Sequence, residues 1–266
     1  MQILAVEKRR LQKEILSWYA EHKRDLPWRK TRDPYKILVS EVMLQQTQVA
    51  RVIPKYEVWL VAFPTLEALA KAKTADVLRL WSGLGYNRRA LNLQKAAVVI
   101  GKEYNGIWPK TLRELKKLPG IGEYTARAIL CFAFNEQVAV VDTNVRKVIE
   151  IKITKNTRKP KEMQEIANQL LPKGKAYEWN QALMDYSAMM LKKEKISLPK
   201  QSRFIGSNRY YRGRIIKTLL QVSETKRGEL QKLVGLKKKE AVFTKLLQEL
   251  SKEGFLIVQT DVVRLG

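Results

Sequence analysis

Leu118-Pro-Gly-Ile-Gly-Glu-Tyr-Thr-Ala-Arg-Ala-Ile129, followed a dozen residues later by Val140-Val-Asp-Thr-Asn144, is the stretch on which the reading of this chain turns. It predicts a helix, a glycine hairpin and a second helix, then a carboxylate at the mouth of a third helix. The glycines of Leu-Pro-Gly-Ile-Gly permit a turn with positive φ and leave backbone N–H groups uncovered at the start of the following helix. Such a turn suits a phosphate oxygen.

The composition supplies an owner for that phosphate. The chain has 266 residues, with 51 Lys+Arg against 26 Asp+Glu, a formal net charge of +25, and 45% hydrophobic residues. That is apolar material for one large or two modest packed domains, and the excess charge is spread over both halves, as on a folded surface facing a nucleic acid. A basic surface solvated without a partner is the alternative. With one Cys, Cys131, and one His, His22, the chain cannot build a His-based triad, a Cys/His zinc site, a zinc deaminase centre or a cysteine-ligated cluster by itself. Chemistry falls to carboxylates, Tyr, Asn and Lys. His22 is expected to be exposed and Cys131 to lie in the core. No apolar run reaches the length of a membrane span, and Met1 to Arg10 turns charged too soon for a secretory signal, so the expectation is a cytoplasmic, nucleoid-associated protein.

Helical periodicity dominates the first two hundred residues. Leu4 to Lys23 repeats apolar residues at helical spacing, and Asp33-Pro34 is an N-cap with Pro at the first helical position, opening a helix through Leu44. Further starts are expected at Thr47, Thr65, Thr74, Tyr86, Thr111 and Glu123; Asp142 caps a helix through Ile149, Pro160 opens one to Leu171, and Ala176 to Leu191 is another. Lys192 to Asn208, with Pro199, Gly206 and Ser207, reads as a linker. Arg209 to Gln221, Lys226 to Val234 and Lys239 to Glu253 then read as helices, and Phe255 to Arg264 as a short two-stranded ribbon: a small winged helix. Arg209, Arg212, Arg214 and Lys217 on its first helix, and Lys237, Lys238 and Lys239 before its third, suit DNA; the alternative is a packing or protein-binding module.

Two carboxylates differ in their surroundings. Glu41 interrupts the apolar stretch Ile37-Leu-Val-Ser-Glu-Val-Met-Leu44, where desolvation favours the neutral acid. Asp142 ends the apolar run Val138-Ala-Val-Val141 and begins a helix, where partial positive charge and free N–H groups favour the anion. An acid and a base at one pH is the arrangement that cleaves a glycosidic bond. Taken singly, Asp142 is also an ordinary cap and Glu41 an ordinary solvent-facing charge.

Leu26-Pro-Trp-Arg29, Asp33-Pro-Tyr-Lys36, Ser40-Glu-Val-Met-Leu-Gln-Gln-Thr-Gln-Val49, Trp81-Ser-Gly-Leu-Gly-Tyr86, Leu118-Pro-Gly-Ile-Gly122 and Val141-Asp-Thr-Asn-Val145 together resemble the helix-hairpin-helix superfamily of DNA glycosylases, most closely adenine-DNA glycosylases of the MutY type, over residues 1 to 191. The resemblance implies an all-α, two-lobed glycosylase fold over 1–195, with a six-helix lobe at about 30–140 and a second lobe from 1–29 and 141–195. After a linker at 196–208, the small winged-helix-like domain occupies 209–266. It implies that Glu41 protonates adenine at N7, that Asp142 stabilises the oxocarbenium sugar or forms an adduct with it, and that Asn144 orients Asp142. Tyr124 stands where bifunctional relatives carry a Schiff-base Lys, which implies base removal without strand cleavage. Gln46 and Tyr86 match residues that wedge into the stack, Gln45 lies beside them, and Trp28 and Arg29 match the pocket for the extruded base. Leu118, Gly120, Ile121 and Gly122 form the phosphate-gripping hairpin, whose carbonyls are a place for an alkali cation. The implied partner is double-stranded DNA with a mismatch or oxidative lesion, bound by a monomer away from any membrane.

The chain departs from that pattern twice. Leu191 stands where the first of four ligands to a [4Fe-4S] cluster would be, so no cluster is expected, and Lys192, Lys193 and Lys195 are candidates for its electrostatic task. The winged helix replaces the Nudix-like domain of typical adenine glycosylases. Tyr124 and Asp185-Tyr-Ser-Ala188 also resemble thymine or uracil mismatch glycosylases, whereas Glu41 favours a purine, since a pyrimidine offers no N7. A third reading is a DNA-binding protein without catalysis, against which stands the cost of placing a carboxylate in an apolar stretch.

Overall fold

The expected helices are present in the computed structural model, which describes residues 2–197, 203–237 and 239–266. In chain order the described α-helices are α1 (Ala5–His22), α2 (Pro34–Leu44), α3 (Val49–Ala62), α4 (Leu66–Lys71), α5 (Thr74–Trp81), α6 (Arg88–Glu103), α7 (Leu112–Leu115), α8 (Glu123–Phe132), α9 (Thr143–Ile149), α10 (Pro160–Leu170), α11 (Ala176–Met189), α12 (Asn208–Val222), α13 (Arg227–Leu233) and α14 (Glu240–Glu253). Strands β1 (Glu224–Lys226), β2 (Leu256–Gln259) and β3 (Val262–Leu265) complete the fold. Among the described residues, no helix is long and apolar enough to cross a membrane.

Contacts gather the chain into two units, one of residues 1–41, 108–117 and 121–199, the other of 42–107, 118–120 and 200–266. This division differs from the one the sequence suggests. Residues 30–41 and 121–140 group with 1–29 and with 141–197, because Ile37, Ala128, Cys131 and Phe132 join the same buried cluster as Ile15, Val140, Val145 and Trp179. The C-terminal segment groups with 42–107.

In the first unit α1 and α9 pack on α11. Leu11, Ile15 and Tyr19 recur every four residues along α1 and are buried, as are Met163, Ile166, Ala167 and Leu170 on α10. Helix α11 is buried continuously from Trp179 to Ser187, so its polar residues must find partners inside the protein. Cys131 is fully buried and His22 is exposed, stacked on Trp18.

In the second unit α4 and α5 pack on α6, around Trp59 and Trp81 set edge to face. The C-terminal segment adds α12, α13 and α14 around Phe243, Leu250 and Phe255. Here the expected two-stranded ribbon is a three-stranded antiparallel sheet in the order β1-β3-β2, with Glu224 paired to Arg264 and Leu256 to Leu265. Strand β1 is Glu-Thr-Lys, which shows no apolar alternation; pairing with the open edge of β3 makes it a strand. Of the expected linker, Ser207 caps α12 and Asn208 is already helical, while Pro199 lies outside the described residues, as does Lys238.

Candidate active site

Glu41 sits on the last turns of α2, between Leu38, Val39, Val42 and Met43, and is 5% exposed. It is therefore not the solvent-facing charge that an amphipathic helix would present. From α8, Tyr124 Oη donates a hydrogen bond of 2.7 Å to Glu41 Oε2. Burial pushes the Glu41 carboxyl up to about 7; the Tyr124 hydrogen bond lowers it, repulsion from Asp142 raises it and Arg29 lowers it. The phenol of Tyr124 is held well above its ordinary value by burial and by the carboxylates of Glu41 and Asp142. Glu41, Tyr124 and Asp142 thus share one electrostatic environment within the first unit.

Asp142 caps α9 as expected, Oδ1 accepting from Val145 N at 2.7 Å and Oδ2 from Asn144 Nδ2 at 2.7 Å. Its proton affinity departs from expectation. The sequence position predicts a favoured anion, yet burial raises the carboxyl above its ordinary value and outweighs the hydrogen bonds from Val145 and Asn144 that pull it down. The cap donors moderate a desolvation cost that the sequence does not reveal. Glu41 is buried and Asp142 half-buried; two carboxyl groups that repel each other hold one proton more readily than none, and Glu41 offers the more apolar home for it.

The approach to Asp142 is fixed by Asn180 on α11, which is 1% exposed. Its Oδ1 accepts from Val140 N at 2.8 Å, while Nδ2 donates to Val138 O at 3.0 Å, Ala176 O at 2.8 Å and Cys131 Sγ at 3.3 Å. Gln164 Nε2 adds a bond of 3.0 Å to Ala139 O. The extended segment entering α9 is thereby bonded on successive residues.

Arg29 does not offer a free guanidinium to a base pocket. Its two terminal nitrogens each lie 2.7 Å from a carboxylate oxygen of Asp185, a fully buried residue of α11, and Nη1 also reaches Arg24 O at 3.0 Å. Arg24 supplies its backbone N–H and Nε to the same carboxylate. Burial opposes ionisation of Asp185, but the hydrogen bonds and charges of Arg29 and Arg24 hold it below its ordinary value. Trp28, in the short turn Pro27–Arg29, is buried.

In the second unit, Gln46 and Tyr86 both adopt left-handed backbone conformations, φ +55° and +48°. Non-glycine residues there carry strain that surrounding structure must hold. The holder is Arg89 on α6. Its Nη1 donates to Val42 O (2.7 Å), Met43 O (3.1 Å) and Gln45 O (2.6 Å), and its Nη2 to Leu84 O (2.9 Å), Gly85 O (3.0 Å) and Thr47 Oγ1 (3.3 Å). One cation thus braces both turns with carbonyl dipoles, and burial pushes its guanidinium down to about 10.

Gly120, φ +76°, belongs to this unit, and a Cβ there would lie 2.6 Å from Asn92 Cβ. Leu118 is buried as well. In the first unit Ile121 buries its side chain and Gly122 is the exposed N-cap of α8.

Among the described residues no group of three or more His, Cys, Asp or Glu could hold a metal ion. A cysteine-ligated cluster does not fit this donor set: Cys131 is in the core and Leu191 packs in the same apolar cluster.

Residues 39–173 match the family model described as "HhH-GPD superfamily base excision DNA repair protein". An adenine DNA glycosylase of Mycolicibacterium smegmatis is 46% identical over 179 residues, 66% of this chain and 61% of the relative. One from Mycobacterium tuberculosis is 52% identical over 136 residues, 51% of this chain and 45% of the relative. The chain thus spans about half the length of these curated relatives. A solved structure of a thermostable thymine-DNA glycosylase superposes with a TM-score of 0.65 at 33% identity, covering 69% of this chain and 87% of that one.

Proposed function

Because the chain belongs to the HhH-GPD superfamily of base excision DNA repair proteins, we propose that it hydrolyses the N-glycosidic bond of an adenine mispaired with 8-oxoguanine or guanine in duplex DNA. The observation that carries this reading is the Glu41–Tyr124 hydrogen bond beside Asp142. Tyr124 occupies one oxygen of Glu41 and leaves the other to carry a proton towards a purine N7. As the C1′–N9 bond breaks, the electron pair leaves with the protonated base. Asp142, its two oxygens oriented by Val145 N and Asn144, stabilises positive charge on the sugar until water adds at C1′. Glu41 and Asp142 are the catalytic residues of this proposal.

Tyr124 provides no amine for a Schiff base at its position, which supports base removal without strand cleavage. The chemistry needs neither an iron–sulfur cluster nor another metal. Gln46 and Tyr86 are the wedges into the stack and the hairpin at 118–122 is the phosphate grip; the partner is a lesion-bearing duplex met by a monomer. The second reading, removal of thymine or uracil opposite guanine, is favoured by the likeness to the solved thymine-DNA glycosylase.

Duplexes carrying A opposite 8-oxoguanine, A opposite G, or T and U opposite G are incubated with the full chain and then treated with hot alkali. Strand breaks at A, and only after alkali, are expected, and Glu41→Gln and Asp142→Asn each abolish them while duplex affinity stays within a few-fold. Breaks without alkali would refute the monofunctional assignment, release of T or U alone would transfer the chain to the second reading, and turnover by either variant would remove that residue from the mechanism.

A further inference from the structure

The cations of α12 are engaged differently from a groove-facing row. Arg212 binds Glu249 at 3.3 Å and Glu253 at 2.6 Å, and Arg214 Nη2 donates to Leu233 O at 2.9 Å, both inside the C-terminal segment. Arg209 points elsewhere: its Nη1 donates to the phenolic oxygen of Tyr86 at 2.6 Å, with the guanidinium 5.2 Å from the centre of that ring.

The C-terminal segment is fastened at a second point. Glu253, at the end of α14, accepts from Arg88 on α6 as well as from Arg212, and Lys95 Nζ donates to Glu253 O at 2.8 Å. Helix α12 also packs against α5. A carboxylate shared by two arginines, with a lysine on the neighbouring carbonyl, joins α6 to α12 and α14 in one network, worth more than an isolated surface pair. Arg88 and Arg89 are consecutive, so one turn of α6 both anchors the C-terminal segment and braces the turns that carry Gln46 and Tyr86.

We propose that the C-terminal segment is a fixed part of the lesion-reading surface, in which Arg209 positions Tyr86 for insertion into mispaired duplex DNA and Glu253 latches the segment in place. This deepens the proposed function and rests on its assignment of Tyr86 as a wedge. Arg209 clamps the ring of a residue whose backbone is already held in the left-handed region, so the ring meets the stack in one orientation. The planar fork of arginine suits this task and the flexible ammonium of lysine does not.

The test uses the full chain and duplexes with 2-aminopurine next to an A–G mispair or a matched pair, so that unstacking is read as fluorescence, a signal that does not depend on base release. Arg209→Ala, Arg209→Lys and Tyr86→Phe are each expected to lower the ratio of mispaired to matched affinity by about tenfold and to reduce the fluorescence rise. The Arg209→Ala/Tyr86→Phe double variant should be no worse than either single one, and Glu253→Gln should share part of the defect. Additive losses, or Arg209→Lys behaving as the parent protein, would show Arg209 to be an independent phosphate contact and overturn the proposal. If no duplex loses a base yet the coupling is found, the glycosylase reading fails and this one stands; normal base release with additive losses is the reverse case. Lysine and phenylalanine nearly conserve volume at partly exposed positions, so these variants remain folded for the comparison.

Discussion

At the residue scale the central quantity is the proton on Glu41. Its folded value of about 7 exceeds the ordinary 4.5, so between those pH values the folded state binds more protons than the unfolded chain. The associated stability is fully present below 4.5, is lost as pH rises through about 7, and is level above it. The shift corresponds to roughly 3 kcal/mol. Glu41→Gln should therefore flatten this dependence and stabilise the protein above pH 7, measured as urea unfolding at pH 5 and pH 8; an unchanged pH dependence would mean that the buried carboxyl is not the group that titrates. Base release by the parent protein should fall as pH rises through about 7, since the acid form is consumed. The Tyr124 hydrogen bond lowers the Glu41 value, so Tyr124→Phe should move that falling limb to higher pH, and a limb that moves down instead would assign the titration to another group.

At the element scale the site depends on α11, whose buried polar residues act at a distance. Asn180 satisfies Val140 N, Val138 O and Ala176 O at once. Replacing it by leucine leaves Val140 N and Val138 O without their amide partner in the core and should cost about 2–4 kcal/mol in urea unfolding, with a fall in base release because the segment entering Asp142 loses its restraint. A loss under about 1 kcal/mol would show that water or neighbouring side chains replace the amide. Asn180 does not stand out in the sequence, and Asp185 does so only within Asp185-Tyr-Ser-Ala188, with nothing to mark it as the partner of Arg24 and Arg29. Asn180 meets a backbone 40 residues away and Asp185 meets Arg24 across 161, whereas local pattern reading senses only neighbours within a few turns. The polar interruptions of an otherwise buried helix were the available signal, and they are equally consistent with an exposed face.

At the scale of the whole molecule the net charge of +25 governs association. Neutralising phosphates releases counterions, so duplex affinity should fall roughly a thousandfold or more between 50 and 200 mM salt, as for a protein making many phosphate contacts. A flat dependence, measured by fluorescence anisotropy, would remove the basic surface from the DNA interface. Not every cation is available to phosphates: Arg24, Arg29, Arg89, Arg212 and Arg214 are committed to carboxylates and carbonyls of the protein itself.

The sequence by itself determined the helices, the Asp142 cap, the glycine hairpin, the pair of carboxylates Glu41 and Asp142, and the sign of the surface charge, because periodicity, turn chemistry and composition are local or additive properties. Tertiary structure alone decided that partial burial raises the half-buried Asp142 carboxyl as full burial raises Glu41, that Tyr124 shares the Glu41 carboxyl, that Arg29 is spent on Asp185, and that β1 joins the C-terminal sheet. Proton affinity and pairing follow from which distant groups exclude water and which donors arrive with them, and those are set only when the chain has packed.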